Sequence, residues 1–458
     1  MIDHDIRDHG AKVDAPVHEA INSAINAAAA QGGGRVVVPA GRWLCGQVVL
    51  RSCVELHLSP GAVLVQAADA DLFPACCDPQ IPPHLQGPGR RLGRMISADD
   101  CEEVAITGAG VIDADSLEKP PRAYFALSFL RCRGLRIEGI TIRNAKGWTC
   151  HCCCCDEVSI RGVRMRNPLT TGDGLDIDGC RDVRISDCDI VTGDDCIVIK
   201  TCRNARSAER IVITNCILRT SCAAVKVGTE TWHDVRRVTV SNCVVYKSGR
   251  AIQLFSMDGG IIEDIVVTGL TIDTDSGIIF NRALHMDCCK RRHLGKLPDF
   301  DHDAVPVGCI RRVTISDCNI VSDGRLIFTG SDRPLEDISL RNIRLTVPWI
   351  EDIARVAHTG DQGQCSNASP EARLAPAALV ASDIKGFVLE GFDLRWPDGP
   401  PPPGMAVKCE LGEPLIDPHH DDRPPPAFHA LWLRRVEGRV QTDHLRSSQD
   451  GVPTVVRF

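Results

Sequence analysis

A short pattern repeats along most of this 458-residue chain. Each copy is a stretch of alternating apolar and polar residues, then one glycine or polar position, then a second alternating stretch. The third positions of the first six copies lie 23 to 28 residues apart. Nine copies are present, at 135–142, 158–165, 183–190, 211–218, 238–245, 265–272, 313–320, 338–345 and 387–394. Alternation with a period of two is typical of β-strands, so each copy predicts two strands.

The aligned copies share one column that contains only Gly, Asn and Asp. These three residue types tolerate a left-handed backbone better than the others, so the column predicts a sharp turn between the two strands. Its members are Gly139, Gly162, Asp187, Asn215, Asn242, Gly269, Asp317, Asn342 and Gly391.

Cysteines alternate with large apolar residues in the next column, at Cys188, Cys216, Cys243 and Cys318. A free cysteine behaves as a small hydrophobic residue. Although the chain has 24 cysteines, these four are therefore expected to fill a core and not to form disulfides.

Coils of about 25 residues without helical periodicity predict a solenoid. Two strands and a left-handed turn in each coil favour an all-β fold, a right-handed parallel β-helix. The alternative solenoid is a leucine-rich repeat, but its leucine and asparagine signature is absent. Residues 14–30 form an amphipathic pattern that predicts a helix covering the N-terminal end of the solenoid. Asp14 would cap this helix, Pro16 would occupy its first turn, and Gly32–Gly34 would end it.

The repeat predicts one β-helix domain over 1–458. An N-terminal cap and first strands would occupy 1–50, regular coils 100–395, and a C-terminal coil with loops 396–458. Further early strands are expected at 35–38 and 48–50. Four stretches break the period, namely 70–95, 283–308, 357–376 and 397–427. Insertions in solenoids map to loops, often on the binding face.

Composition excludes several classes of protein. No run of about 18 apolar residues is present, so no membrane span is expected. A net charge of −8 without basic clusters argues against nucleic acid as a partner. No secretory signal pattern is visible, which makes the cytoplasm the expected location. No nucleotide-binding glycine motif follows a strand, so no cofactor is expected.

Two Gly-Asp sequences lie one coil apart, at 171–176 and 192–196. The register therefore predicts that Asp173, Asp194 and Asp195 stack on neighbouring coils. Crowded carboxylates shift one another's proton affinity, which gives the neutral acid and the ionised base that inverting glycoside hydrolysis needs. The alternatives for such residues are turn carboxylates that bind backbone amides, or a calcium site.

The sequences TTGDGLDID and TGDDCIVIKT resemble the N-T-D-G-x-D-I and G-D-D-C-I-A-I-K motifs of glycoside hydrolase family 28, the polygalacturonase family. The resemblance extends from the N-terminal region to at least residue 345. It implies that Asp194 is the general acid and that Asp173 and Asp195 position or activate water.

Two other motifs of that family are altered here. The family histidine falls on Ala223, and the two bases of its R-I-K motif fall on Gln253 and Phe255. The altered segments resemble a bacterial branch of the family that looks like exo-acting glycosidases. Other side chains are therefore expected to bind the sugar. The candidates are Asp176, Lys226, Glu230, Trp232, His233, Arg250 and Gln253.

The predicted function is inverting, exo-acting hydrolysis of a pectin-derived or related plant oligosaccharide that contains galacturonate, rhamnose or galactose. An aromatic content of only 4% leaves few rings for stacking on a long polysaccharide, which favours a short substrate. A uronate lyase or epimerase and an inactive carbohydrate-binding β-helix are the alternatives.

A cysteine-rich segment, CHCCCCDE at 150–157, contains Cys-x-x-Cys spacings and a histidine. It coincides with a predicted strand, where alternate side chains point to opposite faces. Four ligands from this segment would not converge, and no metal site is expected.

Overall fold

The computed structural model describes residues 2–76, 78, 93–114, 125–145, 147–168, 172–274, 282–291, 300–322, 324–349, 372, 375–399 and 428–458. The fold is a right-handed parallel β-helix, and the α-helix α1 (His18–Ala30) lies at its N-terminal end. It divides into two compact units, Met1–Ile217 and Leu218–Phe458. None of the described helices is long and apolar enough to cross a membrane.

Three parallel sheets build the first unit, because each coil contributes one strand to each sheet in turn. Sheet A contains β2 (Gly34–Val38), β5 (Val54–Leu58), β8 (Ala105–Gly108), β11 (Arg136–Glu138), β14 (Asp156–Arg161), β17 (Arg181–Ser186) and β20 (Ala208–Thr214), with β1 (Asp3–Asp5) paired to β2. Sheet B contains β3 (Gly41–Cys45), β6 (Ala62–Gln66), β9 (Val111–Asp113), β12 (Thr141–Arg143), β15 (Arg164–Asn167) and β18 (Asp189–Thr192). Sheet C contains β4 (Val48–Val49), β7 (Arg94–Asp99), β10 (Phe125–Leu130), β13 (Cys150–Cys153), β16 (Leu175–Asp178) and β19 (Ile197–Thr201). The strand β21 (Ile217–Thr220) spans the boundary of the two units in the chain.

The second unit is built from longer strands. They are β22 (Ala223–Thr231), β23 (Val235–Ser241), β24 (Val244–Val245), β25 (Arg250–Ser256), β26 (Ile261–Thr268), β27 (Thr271–Asp273), β28 (Arg282–Cys288), β29 (Cys309–Val321), β30 (Leu326–Thr329), β31 (Leu335–Thr346), β32 (Ala377–Arg395), β33 (His429–Val440) and β34 (Val455–Arg457). Short 3-10 helices occur at Ile6–His9 and Ala70–Leu72 in the first unit and at His302–Ala304 in the second.

The predicted turn column is confirmed at every position. Its nine residues all have φ between 52° and 77°, the left-handed region. The core also follows the predicted register, since Ile137, Ile160, Ile185 and Ile213 pair in succession along sheet A and are fully buried. Burying an isoleucine side chain contributes about 1.5–3 kcal/mol, so such ladders stabilise the stack coil by coil.

The four column cysteines are buried and free, as predicted. The described residues contain no disulfide. Burial accounts for the pKa of the Cys318 thiol, which is raised to about 11. These thiols pack as core side chains.

The N-terminal helix is confirmed, but its predicted start is wrong. It begins at His18, and Val17 caps it without a side-chain hydrogen bond. Asp14 has a φ of 70°, which a right-handed helix cannot contain, and the Val17 N–H donates to the Leu44 carbonyl oxygen (2.7 Å). The predicted apolar face, which includes Ile21 and Ile25, is buried.

One predicted interruption is partly wrong. The stretch 283–308 begins inside β28, which pairs in register with β25. Its polar residues His285 and Asp287 alternate with inward apolar ones, so the segment is a regular strand. Strands β2 and β4 match the two early strands predicted from the sequence. Most of the interruptions 70–95, 357–376 and 397–427 lies outside the described residues.

Candidate active site

Two carboxylates are stacked by the register of sheet C. Leu175 of β16 pairs with Ile197 of β19, and Asp173 and Asp195 each lie two residues before these positions. The backbone ladder continues through the same segments, since Gly174 N–H donates to the Asp195 carbonyl oxygen (2.8 Å). The predicted spacing of one coil is therefore confirmed.

One backbone amide, that of Asp195, bonds the carboxylates of two other acids. The Asp195 N–H donates to Asp173 Oδ1 (3.1 Å) and to Asp194 Oδ1 (3.0 Å). An oxygen of Asp194 and an oxygen of Asp195 lie within 4.8 Å of each other. Asp173 and Asp195 are buried, at 4% and 2% exposed, whereas Asp194 is only half-buried. Asp194 is thus the most accessible acid of the group.

The glycines beside these acids are required by close packing. A Cβ atom at Gly174 would lie 2.4 Å from the Cys196 carbonyl oxygen. At Gly172 it would lie 2.5 Å from Asn167 Nδ2. Since Cβ contacts below about 3 Å do not occur without displacement, a larger residue at Gly174 would push against the backbone of the next coil, and one at Gly172 would displace the Asn167 side chain.

Lys200 completes this group, and sequence reasoning did not select it. Its Nζ lies 3.3 Å from Asp173 Oδ2 and 3.1 Å from Asp176 Oδ1. The same ammonium lies 3.6 Å from the centre of the Trp148 ring, a cation–π contact. The signal was available in the GDDCIVIK segment, which ends at Lys200, but the register alone does not show where its long side chain reaches.

Asp176 is fully buried, although the sequence placed it among the sugar-contacting residues. Burial holds the pKa of its carboxyl well above the ordinary value, with Lys200 acting against this shift and Asp173 adding to it. Its contact is with the ammonium of Lys200, behind Asp173. Asp176 therefore acts on the neighbouring acids through the charge of Lys200.

In the second unit, three predicted residues lie on β22 and β25. Lys226 pairs in register with Gln253, and Arg250 is the first residue of β25. All three side chains are buried, with at most 4% exposed. Gln253 also pairs with His285 on β28, which extends this set of register-paired polar residues by one coil.

A concentration of positive charge surrounds His285. Burial is the main cause of a pKa well below the ordinary histidine value, and the guanidinium groups of Arg282, Arg250 and Arg325 lower it further. The three arginines are themselves buried, at 5%, 1% and 2% exposed. Sequence reasoning identified Arg250 only, because Arg282 fell at the edge of a stretch interpreted as a loop.

The remaining predicted residues lie at the end of β22. Glu230 is inside this strand and not in a loop, since β22 continues to Thr231. Trp232 and His233 follow the strand and are half-buried. The Trp232 ring packs edge-on against Phe300, with 5.0 Å between ring centres, and lies 5.7 Å from His302.

Comparisons with known proteins bear on both the sequence and the fold. Residues 86–273 match the family profile described as Glycosyl hydrolases family 28. A probable polygalacturonase from Vitis vinifera is 28% identical over 357 residues, which cover 70% of each chain. The chain is therefore similar to the polygalacturonases of family 28, and this similarity supports a glycoside hydrolase.

Solved structures support the assignment of the fold. An exopolygalacturonase from Thermotoga maritima superposes with a TM-score of 0.65 at 19% identity, covering 86% of this chain and 92% of that one. A family 28 exopolygalacturonase from Yersinia enterocolitica also gives a TM-score of 0.65, at 15% identity, over 96% of this chain and 78% of that one. At these identities the likeness shows the parallel β-helix alone.

Proposed function

We propose that the protein is an inverting, exo-acting glycoside hydrolase that acts on a pectin-derived or related plant oligosaccharide. The observation that carries this proposal is the single Asp195 amide bonded to both Asp173 and Asp194. It fixes two carboxylates beside a third, and like charges in such a group do not all ionise readily. A proton retained next to ionised acids is what acid–base hydrolysis of a glycosidic bond requires.

Asp194 is the proposed general acid. It is the most exposed of the three acids, so its carboxyl group has the best access to a leaving glycosidic oxygen. Protonation of that oxygen would accompany cleavage of the bond to the anomeric carbon. The family resemblance assigns the same role to this position.

Asp173 and Asp195 are the proposed pair that orients and deprotonates the attacking water. Lys200 supports an ionised Asp173, because a cation 3.3 Å away favours the charged carboxylate. Asp176 then serves as a positioning residue, since its contact holds the other side of the Lys200 ammonium. Attack from the face opposite to Asp194 would invert the anomeric configuration.

A sugar acid is the proposed substrate component. Arg250, Arg282 and Arg325 supply positive charge near His285 in the second unit, and guanidinium groups bind carboxylates with two parallel hydrogen bonds. This concentration of arginines would replace the basic pair whose positions are occupied by Gln253 and Phe255. Among the candidate sugars, galacturonate carries the matching carboxylate. The similar proteins named above, a probable polygalacturonase and two exopolygalacturonases, favour the same choice.

The test is incubation with aryl glycosides and pectic oligosaccharides, with the product anomer followed by NMR. We expect one sugar to be released from a chain end with inverted configuration. A product with retained configuration would overturn the proposed roles, because it would require a carboxylate nucleophile. An unsaturated, ultraviolet-absorbing product would indicate the lyase alternative, and tight sugar binding without turnover would indicate the inactive one.

The matched variants are Asp194→Asn and Asp189→Asn. Loss of the general acid should lower kcat by roughly 10²–10⁴-fold without changing thermal unfolding. Asp189 pairs with Arg166 at the surface of the first unit, so its variant should keep full activity. Equal activity of the two variants would contradict the role of Asp194.

A further inference from the structure

Three buried side chains of different chemistry meet on sheet C of the first unit. His151 and Cys153 lie two residues apart on β13, and Asp178 is the last residue of β16. His151 Nε2 lies 3.5 Å from Asp178 Oδ2, and Cys153 Sγ lies 3.8 Å from the same oxygen. All three ligand atoms fall within 4.8 Å of one another, and all three residues are fully buried.

The convergence follows from the register of the strands. Residues two apart on a strand point to the same face, which places His151 and Cys153 together. Cys153 pairs directly with Asp178 on the next coil. The sequence argument against a metal considered only ligands from the segment 150–157, whereas the third ligand comes from a different coil.

The spacing suits a small tetrahedral ion. With metal–ligand bonds of 2.0–2.3 Å, adjacent ligand atoms in a tetrahedron lie about 3.3 to 3.8 Å apart. The measured separations from Asp178 Oδ2 are within this range. A mixture of nitrogen, sulfur and oxygen ligands favours zinc over calcium or magnesium, which prefer oxygen alone.

The imidazole of His151 gives independent support. Both of its ring nitrogens are buried, and neither has a hydrogen-bond partner among the residues that the structure describes. Leaving a buried polar group without a partner costs about 1–3 kcal/mol. The ring is held in place by stacking on Phe125, with 5.4 Å between ring centres, and by an edge contact with Trp148 at 5.2 Å. A fixed imidazole with its Nε2 directed at a carboxylate and a thiol is suited to metal coordination.

The ligand carboxylate is also oriented. Asp178 Oδ1 accepts a hydrogen bond from the Cys202 N–H (2.8 Å), which leaves Oδ2 directed toward His151 and Cys153. Such hydrogen bonds to the second oxygen are typical of metal-binding carboxylates. A further sulfur, Cys154 Sγ, lies 3.9 Å from Cys153 Sγ.

We propose that His151, Cys153 and Asp178 bind one zinc ion that ties two coils of the β-helix together next to the candidate active site. Binding would release the Cys153 thiol proton to solvent and form a zinc–thiolate bond. The site is structural, and it shares Trp148 with Lys200. The proposal does not depend on which glycoside is hydrolysed.

The test uses the full chain without an affinity tag. It is reconstituted with zinc under reducing conditions and analysed for metal content and thermal unfolding. We expect one zinc per chain and a higher Tm than after treatment with a chelator. Cobalt should give thiolate charge-transfer absorption and the d–d bands of a tetrahedral site. Failure of the wild-type chain to bind one equivalent of either metal would overturn the proposal.

Three variants test which side chains bind the zinc. Cys153→Ser and His151→Phe should each weaken zinc binding at least tenfold, and the phenylalanine keeps the aromatic stack. Cys188→Ser is the control, since Cys188 is a buried core thiol of the column that follows the turns and its loss should leave zinc binding unchanged. Zinc affinity that is equal in all three variants would show that the metal binds to other cysteines.

Discussion

Lys200 and Asp173 form an ion pair between neighbouring coils, with 3.3 Å between Nζ and Oδ2. The pair is buried, with the two side chains 7% and 5% exposed, so water screens it little. The same ammonium contacts Asp176. One ammonium group therefore contacts the carboxyl groups of both Asp173 and Asp176 beside the candidate catalytic acids.

Lys200→Met should lower kcat/KM by about 100-fold and move the acidic limb of the pH–rate profile to higher pH. In the wild type the ammonium favours the ionised carboxylate of Asp173, a member of the proposed base pair. Its loss should make this carboxylate easier to protonate. The profile should be measured alongside Lys200→Arg, which keeps the charge and should keep the position of the limb. A lower rate with an unmoved limb in Lys200→Met would indicate a purely structural role.

Asp176→Asn should retain activity within about tenfold, whereas Asp173→Asn should lose far more. Burial raises the pKa of Asp176 well above the ordinary value, and asparagine resembles the protonated acid in shape and lack of charge. Rates of both variants on one substrate, with thermal unfolding as the folding control, test this. Equal inactivation of the two would mean that Asp176 acts as an ionised group in the reaction.

The buried Asp287 should make stability depend on pH. Burial raises its pKa to about 6, although hydrogen bonds from Ser331 and Thr329 lower it. An acid whose pKa is higher in the folded than in the unfolded state contributes its full stabilisation below the unfolded pKa, which is about 4. This contribution to the unfolding free energy is lost as the pH rises through the folded pKa of about 6. The loss corresponds to about 3 kcal/mol of unfolding free energy.

Asp287→Asn should remove this dependence. The quantity to measure is the difference in unfolding free energy between the variant and the wild type from about pH 4 to pH 7. We expect this difference to favour the variant increasingly as pH rises. A constant difference across the range would show that Asp287 does not titrate in this window.

The left-handed turns can be tested at Asn215, which has a φ of 55°. Asn215→Ala should be less stable than Asn215→Gly by about 1 kcal/mol, because only glycine avoids the steric cost of this conformation. Both variants lose the same side-chain contact with Thr214, so their difference isolates the backbone. Equal denaturant midpoints would contradict the turn assignment.

The arginines near His285 should determine the preference for a charged sugar. Arg250→Gln should raise KM for a uronate-containing oligosaccharide by about 10- to 100-fold, since a charge-assisted hydrogen bond contributes about 1.5–3 kcal/mol. Hydrolysis of a neutral aryl glycoside by the same variant should change little and serves as the internal control. Equal losses on both substrates would indicate damage to the fold and would contradict carboxylate recognition.

Much of the architecture follows from the order of residues. The turn column was read correctly because a left-handed backbone admits few residue types, and nine consecutive members, from Gly139 to Gly391, obey that restriction. The stacking of Asp173 on Asp195 followed from counting one coil, since parallel strands in a solenoid fix the register. The burial of the column cysteines was predicted because large apolar residues occupy the other positions of the same column.

Other features depend on the path of individual side chains and on local backbone contacts. Lys200 reaches Asp173 and Asp176 across a coil, with its ammonium placed over the Trp148 ring. The late start of α1 at His18 depends on a backbone hydrogen bond to Leu44, which no local propensity reveals.

The sequence by itself determined the coil, its turns and the stacking of the acids, because each follows from periodicity and backbone sterics. Only the tertiary structure decided which charges neutralise one another and which ligand atoms meet. The convergence of His151 with Asp178 joins residues 27 positions apart, and it depends on side-chain direction and burial. Both quantities are set by packing between coils, so they do not appear in the spacing of residues along the chain.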